Sequence, residues 1–385
     1  MIYLDNAATT PLHPNARAAM LPYLSEVFAN PSSVYSTARD VRKAIDNVRT
    51  ITAQAINATP AEIFFTSGGT EAANWAILGT LKGEKSHIIT SKVEHPCVLH
   101  LCQHLEKIGH EITYLPVNSQ GMVNPKDVAS AIQPNTSLVS IMLANNEVGT
   151  IQPLAEISSI TTKHKIPLHT DAVQAVGNMP VDVKELGVDM LTLSGHKFHG
   201  PKGVGALYVK KGTAISPLIR GGAQERSQRA GTENTMGLVG MGAALEAALQ
   251  AMPSENARLT KMRDKLIERI LSIPHTRLNG ATGDNRLARN VNVSFEYIEG
   301  ESLLLHLDMH NCYASTGSAC SSGALDPSHV LMAMGLSHEL ANGALRFTLG
   351  RENTEDDIEK LMAILVPTVQ KLREISPLYD DYLRK

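Results

Sequence analysis

A chain of 385 residues is long enough to bury a large core and to divide into two domains. Its 35 basic and 38 acidic residues leave a formal net charge of -3 and are scattered rather than blocked, which excludes the electrostatic footprint of a nucleic-acid or anionic-membrane binder and points to a small substrate. The cysteines Cys97, Cys102, Cys312 and Cys320 lack CxxC spacing and are too sparse for a disulfide scaffold. No leader-like start and no apolar run near the ~20 residues that span a bilayer is seen, so a cytoplasmic protein is expected.

In chain order, strand-like runs at residues 62–66, 87–90, 138–143, 167–170 and 190–193 alternate with helix-suited stretches such as 71–81 and 96–108. The runs are continuously apolar rather than alternating, which predicts an α/β fold with a mostly parallel sheet buried on both faces. Such sheets bind ligands at the carboxyl ends of their strands. An Ala- and Met-rich stretch at 236–252 follows, then a charged helical segment at 254–273, a strand at 290–295, a helix at 301–309, a Ser/Gly-rich loop and a final helix around 354–375. This second half reads as a smaller α+β domain. The expected division is 15–255 for the large domain, with 1–14 and 256–385 forming the small one and carrying a loop at about 314–325.

Three strand ends carry polar groups. After 62–66 comes Ser67-Gly68-Gly69-Thr70-Glu71, where the glycines let backbone approach an anion and the next helix offers unpaired N–H groups; a plain turn is the alternative. Thr170-Asp171 closes another strand, which places a carboxylate in the crevice, or a helix N-cap. Gln174 lies one turn on. Ser194-Gly195-His196-Lys197 packs a hydroxyl, an imidazole and an amine among glycines. A desolvated lysine beside cationic groups has a lowered pKa and adds to aldehydes. A phosphate cup, an acid for a pyridinium nitrogen and an amine for an aldehyde are together the contacts pyridoxal 5′-phosphate (PLP) needs. Farther along, Cys320 stands among small, polar residues, 314–323, with the composition of a mobile loop. An exposed, reactive thiol and an inert one are both open there, whereas Cys97, Cys102 and Cys312 read as structural.

With these residues in place, the chain resembles the cysteine desulfurases of aminotransferase class V. The resemblance runs through Tyr3-Leu4-Asp5-Asn6-Ala7-Ala8-Thr9-Thr10-Pro11, Asn30-Pro31-Ser32-Ser33, Phe65-Thr66-Ser67-Gly68-Gly69-Thr70-Glu71 and Glu94-His95. It continues through Asn145-Asn146-Glu147-Val148-Gly149, His169-Thr170-Asp171-Ala172-Val173-Gln174, Ser194-Gly195-His196-Lys197, Arg229-Ala230-Gly231-Thr232-Glu233-Asn234, Ser318-Ala319-Cys320 and Arg346-Phe347. It implies a PLP-dependent transferase of fold type I, with a seven-stranded, mostly parallel sheet. PLP would be bonded to Lys197, with Asp171 on its ring nitrogen, Gln174 near its phenolic oxygen and His95 stacked on the ring. Its phosphate would meet Gly69, Thr70, Ser194 and His196, with Thr232 reaching in from the partner subunit of a homodimer. Asn145 would contact cofactor and substrate, and Arg346 the substrate carboxylate.

The implied reaction converts L-cysteine to L-alanine and leaves the sulfur on Cys320 as a persulfide, with His95 moving a proton. An iron–sulfur scaffold protein or another acceptor then takes the sulfur. No resident metal is implied, only Cys320 as a transient iron–sulfur ligand. The Ser-Ala-Cys-Ser-Ser-Gly run resembles the family branch with the longer mobile loop. A selenocysteine lyase, or another class V lyase or aminotransferase, is the alternative, and it need not share Cys320.

Overall fold

The computed structural model describes residues 1–83, 85–316 and 327–384. Its central sheet has seven strands, in the order Ile63–Thr66, Gly205–Val209, Met190–Ser194, Leu168–Asp171, Thr136–Ser140, His87–Ser91 and Glu111–Leu115. Gly205–Val209 runs antiparallel to both neighbours, and every other pairing is parallel. Side chains alternate between the faces, so Phe64, Ile88, Leu138 and Met190 enter one core with Trp75 and Leu105. Phe65, Ile89, Val139 and Leu191 enter the other, with Val41, Ile45 and Leu245. Helices cover both faces, which is why the strands read as unbroken apolar runs. The strand Glu111–Leu115 lies at the edge and is exposed at its first residue, so the same criterion passes over it.

The sequence predicts a strand through residue 143, yet it ends at Ser140. Beyond that point Leu143 N still bonds Asp171 O, but Met142 N turns to the carboxylate of Glu94 (3.0 and 3.1 Å) in place of a neighbouring strand. The segments expected at 236–252 and 254–273 are one helix, Thr235–Leu271. Pro253 sits exposed on it, where the carbonyl it deprives of a partner can be hydrated.

Leu238, Met241 and Leu245 of that helix enter the core of the large sheet. Leu259, Met262, Leu266 and Ile270 enter a second core. There the strands Thr276–Leu278, Asn290–Phe295 and Ala344–Thr348 form an antiparallel sheet, with Asn290–Phe295 in the middle. Helix Glu355–Glu374 closes this core and starts with a capping box, Thr354 N donating to Asp357 Oδ2 at 2.9 Å. The amino terminus joins this unit, because Ile2–Tyr3 pairs in parallel with Cys312–Tyr313. No described helix is long and apolar enough to cross a membrane.

Candidate active site

Parallel strands that stop at one edge of the sheet deliver their following residues to a common crevice. Here Thr66, Ser91, Ser140, Asp171 and Ser194 are last residues of such strands. The crevice is a cavity of about 220 Å³ whose wall includes Gly69, Thr70, His95, Asp171, Gln174, Ser194, His196, Lys197 and Arg346. Nine of the residues expected from the sequence therefore meet in one place. Ala7, Ala8, Cys97, Met142, Asn146 and Val173 complete it.

Helix Gly69–Gly79 opens at the cavity, with its first amide groups free of intrahelical partners. A Cβ on Gly69 would come within 2.8 Å of Val173 Cγ2, so only glycine lets the helix start approach this closely. The preceding loop is pinned by Glu71, which accepts Ser67 N at 2.8 Å and is itself gripped by Arg229 through Nε (2.8 Å) and Nη2 (3.0 Å). That ion pair brings the segment around Thr232 beside Ser67. Thr232 is exposed and lines an adjoining hollow rather than the cavity of its own chain.

Asp171 is buried. Its Oδ1 accepts the Val173 amide at 2.9 Å, a local turn rather than a helix cap, and Cys97 Sγ lies 3.9 Å from Oδ2. Burial raises its pKa, against the opposing pull of His95 and Lys197. His95 caps helix Pro96–Lys107, and its Nδ1 accepts Cys97 N at 3.2 Å. Burial lowers the His95 pKa despite Asp171, so the ring is neutral and carries its proton on Nε2. His196 is likewise pushed down to about 4, chiefly by burial. Behind His95, burial lifts Glu94 to about 8.

Lys197 Nζ donates to the carbonyls of Ala7 (2.6 Å) and Ala8 (2.8 Å), so the amino-terminal strand end reaches across to hold it. Gln174 Nε2 bonds the same Ala7 carbonyl at 3.0 Å, and its Oε1 accepts Arg289 Nη2 at 3.2 Å. Arg346 is buried, with Nη2 on Asp5 (2.7 Å), Nη1 on the Asn146 carbonyl (3.0 Å) and Nε without a partner among the described residues.

Asn145 is a correction. It does not line the cavity: its Nδ2 donates to Val93 O (2.8 Å), and its Oδ1 accepts the amides of Glu147 (2.8 Å) and Val148 (2.9 Å). The side chain is spent inside its own turn, and Asn146 faces the cavity instead. The signal lay in the motif, since the first Asn of a turn closing on Gly149 (φ 75°) habitually bonds amides two and three residues on. Nothing in the motifs pointed to the carbonyls of Ala7 and Ala8, to Cys97 or to Arg289. Cys320 lies outside the described residues.

The family model for aminotransferase class-V matches residues 2–361. A protein of Methanosarcina thermophila named cysteine desulfurase IscS is 54% identical over 380 residues, covering 98% of this chain and 94% of its own length. A solved structure titled NifS-like protein superposes with a TM-score of 0.90 at 35% identity, covering 96% of this chain and 100% of its own. Another, titled SspA in complex with cysteine, gives a TM-score of 0.80 at 40% identity, with 91% and 99% covered.

Proposed function

The chain belongs to the aminotransferase class-V family, and on that premise we propose that it is a PLP-dependent cysteine desulfurase, which takes sulfur from L-cysteine onto Cys320 and releases L-alanine. What carries this function is the chemistry of the cavity wall. A buried carboxylate, an open helix amino terminus and a lysine amine surround one small space. These groups fit a protonated ring nitrogen, a phosphate and an aldehyde, so Asp171, the Gly69–Thr70 amides with Ser194 and His196, and Lys197 would hold PLP. Asn146 and Gln174 complete the wall. When bound, the cofactor supplies an electron sink for the substrate's α-carbon.

The remaining work falls to the chain. Arg346, in the cavity wall, would orient the substrate through its carboxylate, since Nη1 and Nη2 each make one hydrogen bond among the described residues and carry two N–H groups. Lys197 Nζ would hold the cofactor's aldehyde and, as a free amine, would take the α-proton. His95 offers a proton at Nε2, and it can accept one at Nδ1 only by releasing the Cys97 amide. Cys320 attacks the substrate sulfur as a thiolate: the S–S bond forms as the C–S bond breaks, which leaves a persulfide and the alanine skeleton. Cys97 and Cys102 do not compete, because burial holds both thiols well up in the protonated form. The protein works as a homodimer in the cytoplasm, with the exposed Thr232 completing the phosphate site of the partner, and passes its sulfur to an iron–sulfur scaffold or another acceptor.

Mass spectrometry after incubation with L-cysteine tests this function. One added sulfur on the peptide containing Cys320, lost on reduction, is expected. Sulfur on Cys97, Cys102 or Cys312, or sulfur release unaffected by Cys320→Ala, would refute it.

A further inference from the structure

A second cavity, of about 450 Å³, is walled by the continuations of the loops that carry Gln174 and Lys197, and Arg289 forms part of it. Arg289 is only 5% exposed, yet its guanidinium is poorly satisfied. Nη2 reaches Gln174 Oε1 at 3.2 Å, Nη1 reaches the Lys197 carbonyl at 3.4 Å, and Nε has no partner among the described residues. No described carboxylate lies within ion-pair distance of it. Arg286, three residues earlier and also buried, shows what a structural arginine looks like here. Its Nε, Nη1 and Nη2 all donate to backbone carbonyls, those of Ala281, Asn290 and Asn279.

A buried guanidinium that leaves donors unused is strongly unfavourable unless an anion completes its shell. The wall has one acid among the described residues, Glu255, and Arg258 already holds that carboxylate through two bonds of 3.1 and 2.8 Å. Arg351 adds a second cation at a more exposed position, where its Nε also lies 3.5 Å from Glu352 Oε1. Phe198, Ala244, Ala248 and Leu259 supply apolar surface around the two charges. The volume lies in the range of small-molecule sites.

We propose that this cavity is a second binding site, separate from the catalytic one, for a small organic carboxylate with an apolar body, held by Arg289 and Arg351. Arg289 also contacts Gln174 Oε1 and the Lys197 carbonyl, which places this side chain between the proposed site and the catalytic cavity.

Benzoate is a suitable probe, since it has a carboxylate and an apolar ring but no amine or thiol to react. Calorimetric titration of the holoenzyme is expected to show benzoate binding that Arg289→Gln weakens at least about ten-fold, the loss of a charged hydrogen bond. Ala248→Phe, which fills the cavity and leaves Arg289 in place, is expected to abolish it, and Arg346→Gln to leave it unchanged. Ala248→Phe decides the matter if Arg289→Gln does not fold. No binding to the unsubstituted protein, binding that survives Ala248→Phe, or binding lost with Arg346→Gln overturns the proposal.

Discussion

Cys97 Sγ stands 3.9 Å from Asp171 Oδ2, while the Val173 amide holds Oδ1 at 2.9 Å, so the hydrogen-bond donors to this buried carboxylate among the described residues are neutral. Under the proposed function its complement would be the charged ring nitrogen of PLP. Asp171→Ala is expected to weaken PLP binding by about 2–5 kcal/mol, the effect of removing one member of a buried charged pair. Fluorescence titration of the cofactor-free protein measures it. Cys97→Ala removes a weak donor and is expected to change PLP affinity by less than about ten-fold.

Glu94 links pH to stability. Burial lifts its carboxyl from 4.5 to about 8, so between those values the folded chain keeps a proton that the unfolded chain has lost. The resulting stabilisation is fully present below about 4.5 and disappears as the pH rises through about 8. Glu94→Gln should flatten the fall, which amounts to at most about 1.4 kcal/mol per pH unit from this one group. Urea midpoints at pH 5 to 8 for both proteins report it, and an unchanged slope would count against a protonated Glu94.

Arg49 and Glu225 form a buried bidentate pair, with both N···O distances 2.7 Å, and Glu225 Oε2 also accepts the Phe65 amide at 3.0 Å. The pair ties helix Ser36–Ala55 to the segment before Thr232. Glu225→Gln leaves a buried guanidinium uncompensated and is expected to cost about 3–5 kcal/mol. Joining it with Arg49→Met should recover part of that loss, as read from denaturant unfolding.

Arg346 is anchored by Asp5 and the Asn146 carbonyl, which fixes its guanidinium at the cavity wall. Lysine cannot reproduce that fork. Arg346→Lys is expected to raise KM for L-cysteine by roughly ten- to a hundred-fold, with a smaller change in kcat, since one charged hydrogen bond to the carboxylate is lost. Steady-state alanine formation separates the two effects.

Continuous apolar runs disclosed the inner strands of the large sheet, because burial on both faces acts through local composition. The edge strand Glu111–Leu115 and the opposed strand Gly205–Val209 escaped, since the first is half solvated and the second follows a glycine-rich loop with only the three-residue 3-10 turn Gly195–Lys197 between it and Met190–Ser194. The long helix Thr235–Leu271 was split at Pro253, where local propensity argues for a break and packing against two cores overrides it.

By itself the sequence determined the α/β class and placed Gly69, Asp171 and Lys197 at the ends of different strands, because each depends on residues adjacent in the chain. Tertiary structure alone decided that Asn146 and not Asn145 faces the cavity, that Ala7 and Ala8 hold Lys197, and that Arg289 stands between two cavities. Those contacts join residues up to 190 positions apart. Hydrogen bonds and burial at such separations are set by how the layers pack, which no local run of residues encodes.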